Sequence, residues 1–175
     1  HAGLHSAIEG ANAAPANGGA PGPAHGAAQA VHGGGNSGPT FAPGSVDHSA
    51  NGFNPSEILR DFDWGKTTRL PSGRLLREWT LVAGDREIEV APGVKYPAWT
   101  YNGRVPGPTL RATEGDRLRI VFRNSGSHPH SMHFHGIHAA RMDGVPGAGL
   151  VEPGGEFTYE FEARPFGCHH YHCHA

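Results

Sequence analysis

The sequence predicts an all-β domain of the antiparallel Greek-key sandwich or barrel type, on three observations. Two stretches alternate cleanly between apolar and charged residues. In 116–124, Leu118, Ile120 and Phe122 share one face while Arg117, Arg119 and Arg123 share the other, with Val121 the exception. In 156–162, Phe157, Tyr159 and Phe161 face inward, and Glu156, Thr158, Glu160 and Glu162 face outward. Alternation of this kind is the mark of a half-buried strand. The chain is also rich in turn formers, with 27 Gly and 15 Pro. Finally, helix signals are confined to one short segment. Many short strands with Gly/Pro-rich connections fit a sandwich or barrel.

Three regions follow in order. Residues 1–52 are mainly Ala, Gly, Pro, Asn, Ser and His, with almost nothing to bury and with Glu9 and Asp47 the sole charged side chains. Such a stretch has too little apolar area to offset the entropy of ordering, so a flexible low-complexity extension is expected. Its scattered His1, His5, His25, His32 and His48 suit at most loose capture of metal ions. Residues 53–73 read as a linker with a short helix across 54–62, started by Pro55 near the first turn and by early acids. Residues 74–175 form the domain. Arg74 to Val82 and Arg86 to Val90 are expected to make a hairpin around Ala83-Gly84-Asp85. Lys95 to Tyr101 is expected as a strand ending in Asn102-Gly103.

Composition excludes several roles. The net charge of −2 and the absence of a basic block argue against nucleic acid and anionic membrane surfaces. No run of 18 apolar residues exists, so no membrane span is expected. Cys168 and Cys173, five apart, point to opposite faces of a continuous strand and are not expected to bridge. Cys168 reads as a buried small apolar residue. A chain starting at His1 rather than Met is expected to have been processed, with any signal segment already removed.

Nine of the fourteen histidines fall between His128 and His174. Their spacing carries chemistry. On a strand, His172 and His174 point one way and Cys173 the other. In His130-Ser131-Met132-His133-Phe134-His135, His133 and His135 share a face and His130 has the opposite parity. Pairing the two stretches sorts the ligands into His130 with Cys173, and His133, His135, His172 and His174 together. A thiolate–imidazole set suits copper in electron transfer, whereas an all-imidazole set suits copper, zinc, iron or nickel. His128, His138, His169 and His170 are expected at the surface or behind the ligands. Asp143, in Met142-Asp143-Gly144-Val145, is a candidate proton relay or orienter of the cluster, and equally a turn residue.

Asn102-Gly103-Arg104-Val105-Pro106-Gly107-Pro108-Thr109-Leu110 with Glu114-Gly115-Asp116 resembles the signature that opens cupredoxin domains of multicopper oxidases. His130-Ser131-Met132-His133-Phe134-His135-Gly136 is similar to that family's H-x-x-H-x-H-G, His172-Cys173-His174 to its H-C-H, and Glu152-Pro153-Gly154-Gly155 to its loop before the next strand. The resemblance covers roughly 75–174. It implies a Greek-key cupredoxin β-sandwich, with His130 and Cys173 on a type 1 copper, His133 on a type 2 copper, and His135, His172 and His174 on a type 3 pair. It further implies a two-domain, laccase-like enzyme coupling one-electron oxidation of a phenolic or metal-ion substrate to four-electron reduction of dioxygen. That enzyme would be a homotrimer in which a neighbouring chain's second domain completes each cluster, in an extracytoplasmic location (secreted, periplasmic or cell-surface).

Two departures accompany the resemblance. The second imidazole and axial ligand of a type 1 site would follow the H-C-H motif, and a trinuclear cluster takes about eight histidines from two domains. The domain is therefore expected to be incomplete at its C-terminus, the chain to be a piece of a longer protein, and the piece alone to be inactive. Copper nitrite reductase is the nearest rival. Its motif has Asp where this chain has His133, and no ligand at the position of His174. A non-catalytic copper-binding or electron-transfer cupredoxin is the alternative of a different class.

Overall fold

A computed structural model describes residues 45–175. The extension expected over 1–52 lies outside the described residues as far as 44. Its final residues are described and ordered: α1 (His48–Asn51) is a helical turn capped by Asp47, whose carboxylate accepts from the Ser49 and Ala50 amides. The Asn51 side chain donates to the Glu89 carbonyl and accepts from the Glu89 amide. The helix expected across 54–62 shortens to a 3-10 turn, Pro55–Glu57. Asn54 caps it, its carboxamide oxygen accepting from the Ser56 amide.

The strands are β1 (Phe62–Asp63), β2 (Lys66–Arg69), β3 (Leu75–Ala91), β4 (Val94–Tyr101), β5 (Thr109–Leu110), β6 (Arg117–Asn124), β7 (His133–Phe134), β8 (Glu156–Glu162) and β9 (Tyr171–His172). The main sheet runs β2-β3-β6-β8, with β4 on the far half of β3. β3 and β6 are parallel, and the other pairs of that sheet are antiparallel. β1–β5 and β7–β9 are separate two-stranded pairs.

The expected hairpin around Ala83-Gly84-Asp85 is not formed. β3 continues straight through those residues for 17 in all, and the reversal comes later, at Pro92-Gly93. The Gly-Asp signal instead marks a change of partners. Ala83 is the last residue paired to β6 and the first paired to β4. Ser125 crosses there, its amide and hydroxyl both donating to the Ala83 carbonyl, and a Cβ on Gly84 would lie 2.9 Å from its Oγ. A glycine is needed for close passage of a neighbouring segment.

β6 and β8 lie where the alternation places them, and β4 covers the strand expected over 95–101. Leu118, Ile120, Phe122, Tyr159 and Phe161 are buried with Trp79 and Leu81 from β3, and Met132 and Phe134 close the core. On the opposite face Arg119 bonds both Glu78 and Glu160, and Arg123 bonds Glu156, each across the strand register. The Asn102-Gly103 turn uses left-handed backbone at both residues, and the Asn102 side chain ties back to the Val82 amide and the Thr80 carbonyl. Asp116, of the Glu114-Gly115-Asp116 signature, accepts from buried Arg77 and from the Thr113 amide, while Arg77 also donates to the Trp64 carbonyl.

Replacing Asp116 with Ala strands the Arg77 guanidinium in the interior. Breaking a buried pair from one side costs about 3–5 kcal/mol. Urea unfolding of D116A is expected to show a loss of that order, and a loss below about 1 kcal/mol would mean that water reaches Arg77.

Candidate metal centre

The two histidine motifs meet on the β7–β9 ladder, where His133 is directly opposite His172 and Phe134 opposite Tyr171. Two residue pairs make a weak ladder, and the surrounding chain holds it. The Tyr159 hydroxyl accepts from the Met132 amide at 2.8 Å and donates to the Gly149 carbonyl at 2.6 Å. The Tyr101 hydroxyl donates to the Ser131 carbonyl at 2.7 Å, and that of Tyr171 to the Pro108 carbonyl. Burial raises all three phenols, Tyr159 to about 12, so each remains a neutral hydroxyl able to donate.

His130 and Cys173 come together on one side. His130 is 2% exposed, and its backbone is bridged to Val151 in both directions. Its Nδ1 lies 3.7 Å from Cys173 Sγ. The Ser131 amide approaches the same sulfur at 3.4 Å, and Ser131 Oγ, 3.8 Å from it, accepts from the His174 amide. Burial, chiefly, lowers the His130 pKa, so the ring is neutral with a lone pair to offer. A cavity of about 50 Å³ adjoins the pair, lined by Ala83, Trp99, Thr100, Tyr101, His130 and Cys173. Half-exposed Trp99 meets His130 edge-on at 5.2 Å between ring centroids.

His133, His135, His172 and His174 gather on the other side. His135 Nε2 and His172 Nε2 are 2.8 Å apart, and the His133 and His174 rings stack at 4.3 Å. His133, His135 and His172 can direct ligand atoms to a common point, as can His133, Asp143 and His174. The His172 Nδ1–H donates to the Cys173 carbonyl, which leaves its Nε2 as the ligand atom. Crowding lowers the His135 pKa, first through desolvation and then through the charges of His133, His172, His170 and His174.

Of the other residues, Asp143 stands beside His133, its Oδ1 and its backbone carbonyl oxygen each 3.0 Å from His133 Nδ1. His138, expected at the surface or behind the ligands, lies behind one, its ring only 7% exposed and against His133. His169 sets its two ring nitrogens against the His135 and Pro165 carbonyls, and His128 packs on Trp99. Cys168 is exposed rather than buried, because 164–168 runs along the surface outside any strand. Neither cysteine is bridged. Ser131, Gly126, Tyr101 and Tyr159 also shape the site and were not singled out from the sequence. Ser131 alone carried a signal, its adjacency to His130.

Both donor sets fit metal binding. His130 turns Nδ1 to the Cys173 sulfur, so Nδ1 is the nitrogen that can share a ligand site with the thiolate. Bonds of about 2.0 Å to imidazole and about 2.3 Å to thiolate, spanning the observed 3.7 Å, enclose roughly 120°, the angle of a trigonal copper–thiolate site. Four converging imidazoles, with His133 and His172 each held through Nδ1, suit a borderline ion. Copper and zinc are the ions that thiolate and imidazole donors both favour.

Gly126 sets the position of His130, since a Cβ there would meet its Nε2 at 3.0 Å. In G126A the ring must shift by a few tenths of an ångström. Cobalt(II) titration, read at the thiolate-to-cobalt absorption, is expected to show affinity about tenfold weaker than in the parent. An unchanged titration would place the controlling contact elsewhere.

Residues 83–175 match the family model described as multicopper oxidase. A solved multicopper oxidase structure superposes with a TM-score of 0.71 at 59% identity, covering 75% of this chain and 47% of that one. The copper resistance protein A homolog of Pseudomonas syringae pv. tomato (strain ATCC BAA-871 / DC3000) is 36% identical over 108 residues, 60% of this chain and 18% of that protein. The copper-containing nitrite reductase of Neisseria meningitidis serogroup A is 35% identical over 91 residues, 51% of this chain and 23% of that protein. The chain thus spans less than a quarter of these two curated relatives. Among the described residues no helix is long and apolar enough to cross a membrane.

Proposed function

We propose that this chain, which belongs to the multicopper oxidase family and has its cupredoxin fold, is the first cupredoxin domain of a two-domain, laccase-like oxidase. The reaction removes single electrons from a phenolic or metal-ion substrate. Four such electrons and four protons convert dioxygen to two molecules of water. The observation that carries the reading is the back-to-back arrangement of two donor sets through one backbone. Cys173 faces His130, while its neighbours His172 and His174 face His133 and His135.

In this reading His130 and Cys173 hold the type 1 copper, His133 the type 2 copper, and His135, His172 and His174 the type 3 pair. Bound copper supplies one-electron redox steps at the thiolate site and dioxygen reduction at the imidazole site. The protein's own part is positional. Burial of His130 keeps its imidazole neutral and its site dry. The backbone from Cys173 to His172 and His174 is the shortest covalent route between the sites. Asp143, beside His133 Nδ1 and 40% exposed, stands between the cluster and solvent and is the candidate proton relay. Further ligands would come from the rest of the protein and from a neighbouring chain's second domain in a homotrimer, in an extracytoplasmic location.

Copper content of the full-length protein tests this first. About four ions per chain are expected; about two would favour the arrangement of the nitrite reductases, and one an electron carrier. Within the same protein, Cys173→Ser is expected to abolish the intense blue copper–thiolate absorption and leave the imidazole sites occupied. Persistence of the colour would remove Cys173 from the site. His133→Asp is expected to lower dioxygen reduction by at least tenfold while the blue band remains, and bleaching would place His133 on the wrong face.

A further inference from the structure

We propose that His138 is a positioning residue that, together with Asp143, fixes His133 as its Nδ1–H tautomer and thereby gives His133 Nε2 to the metal. The metal half of this statement rests on the copper reading above; the tautomer half does not.

The chain of reasoning starts one residue away. His138 Nδ1 lies 2.9 Å from the Ala139 carbonyl oxygen. A carbonyl can only accept, so His138 Nδ1 carries a proton. In the neutral ring Nε2 is then a bare acceptor. That acceptor is 3.1 Å from His133 Nδ1. Asp143 presents two more, its carbonyl oxygen and its Oδ1, each 3.0 Å from the same nitrogen. Three acceptors therefore surround His133 Nδ1, and a lone pair there would face repulsion from all of them. The proton must sit on Nδ1, which leaves the Nε2 lone pair free.

Ring packing reinforces the assignment. The His138 and His133 rings meet edge to face at 4.6 Å and 76°, and His138 is almost wholly enclosed. A half-turn of the His133 ring would lift Nδ1 from its acceptors and place a C–H among them. An electron-rich shell around the distal N–H also makes the ligating nitrogen more basic, as carboxylate and carbonyl partners do for metal-bound histidines. Histidine suits this position because it is an acceptor on one edge while its own N–H anchors the other.

Two measurements on the full-length protein test the proposal. In metal-free protein, long-range nitrogen–proton correlation spectra report the tautomer of each histidine. His133 is expected as Nδ1–H in the parent, with a mixed-tautomer pattern in His138→Leu. Copper(II) is then titrated while the type 2 paramagnetic signal is followed. His138→Leu is expected to weaken that site by about 10-fold or more, with the blue absorption unchanged. His138→Gln, whose amide oxygen can accept from His133 Nδ1–H, is expected to recover affinity to within about threefold of the parent. An Nε2–H tautomer in the parent overturns the proposal. So does a His138→Leu protein whose tautomer and copper affinity both match the parent, or a Gln variant no better than Leu. A parent with the Nδ1–H tautomer, lost in the Leu variant, that takes up no copper would uphold the positioning role and sink the oxidase reading instead.

Discussion

The site depends on the register of one short ladder, His133 against His172 and Phe134 against Tyr171. Strand side chains have a period of two, so a slip of one residue exchanges the faces. Such a slip would present Cys173 to the imidazole cluster and turn a histidine toward His130. Both donor sets would then be mixed, with sulfur where four imidazoles belong. A ladder of two pairs has too few backbone bonds to set its own register. It is fixed by the flanking contacts, the Ser131 amide to Cys173 sulfur and His174 amide to Ser131 hydroxyl on one side and the His135 amide to His170 carbonyl bond on the other.

The alternation that separates the donor sets also builds the core. Met132 and Phe134, which alternate with His133 and His135, point inward, and Phe134 packs on Tyr159, Phe161 and Tyr171. The hydrophobic effect therefore sets the metal face indirectly, because burying Met132 and Phe134 leaves their neighbours no choice of side. The tyrosines refine this. Tyr101 and Tyr159 each fill core volume and place a hydroxyl on the backbone of Ser131 or Met132. A phenol does both tasks where a phenylalanine would leave a buried amide or carbonyl unpaired.

The sequence made β6 and β8 readable because each has one wet and one dry face, and the metal motifs readable because parity survives even in two-residue strands. β3 was misread for a physical reason. Ala83-Gly84-Asp85 has turn composition, yet the glycine serves a close crossing by Ser125, and only the tertiary structure holds that crossing. His138, expected at the surface or behind the ligands, was legible only as far as that pair of choices. It follows β7 in irregular chain, where no period relates it to His133, and its proximity comes from the path through Ala140–Met142 that also delivers Asp143. Cys168 failed in the opposite direction, since a general preference of cysteine for the interior says nothing about a surface segment.

The two donor sets differ in exposure as much as in chemistry. His130 is sealed and Cys173 half-buried, whereas His135, His172 and His174 stand open to solvent in this chain. A site that exchanges electrons gains from a rigid, dry setting, where its ligands need not reorganise. A site that must admit a small molecule and four protons cannot be sealed in that way. Carrying both on one face of a strand would force a compromise, because burial that suits the thiolate would close off the imidazoles. Strand alternation removes the conflict by giving each requirement its own side, with Cys173 inward toward His130 and its two neighbours outward. A simple electron carrier would have no use for the outward side. The presence of a second, all-imidazole donor set therefore supports the proposed oxidase over a simple carrier more strongly than the thiolate pair does.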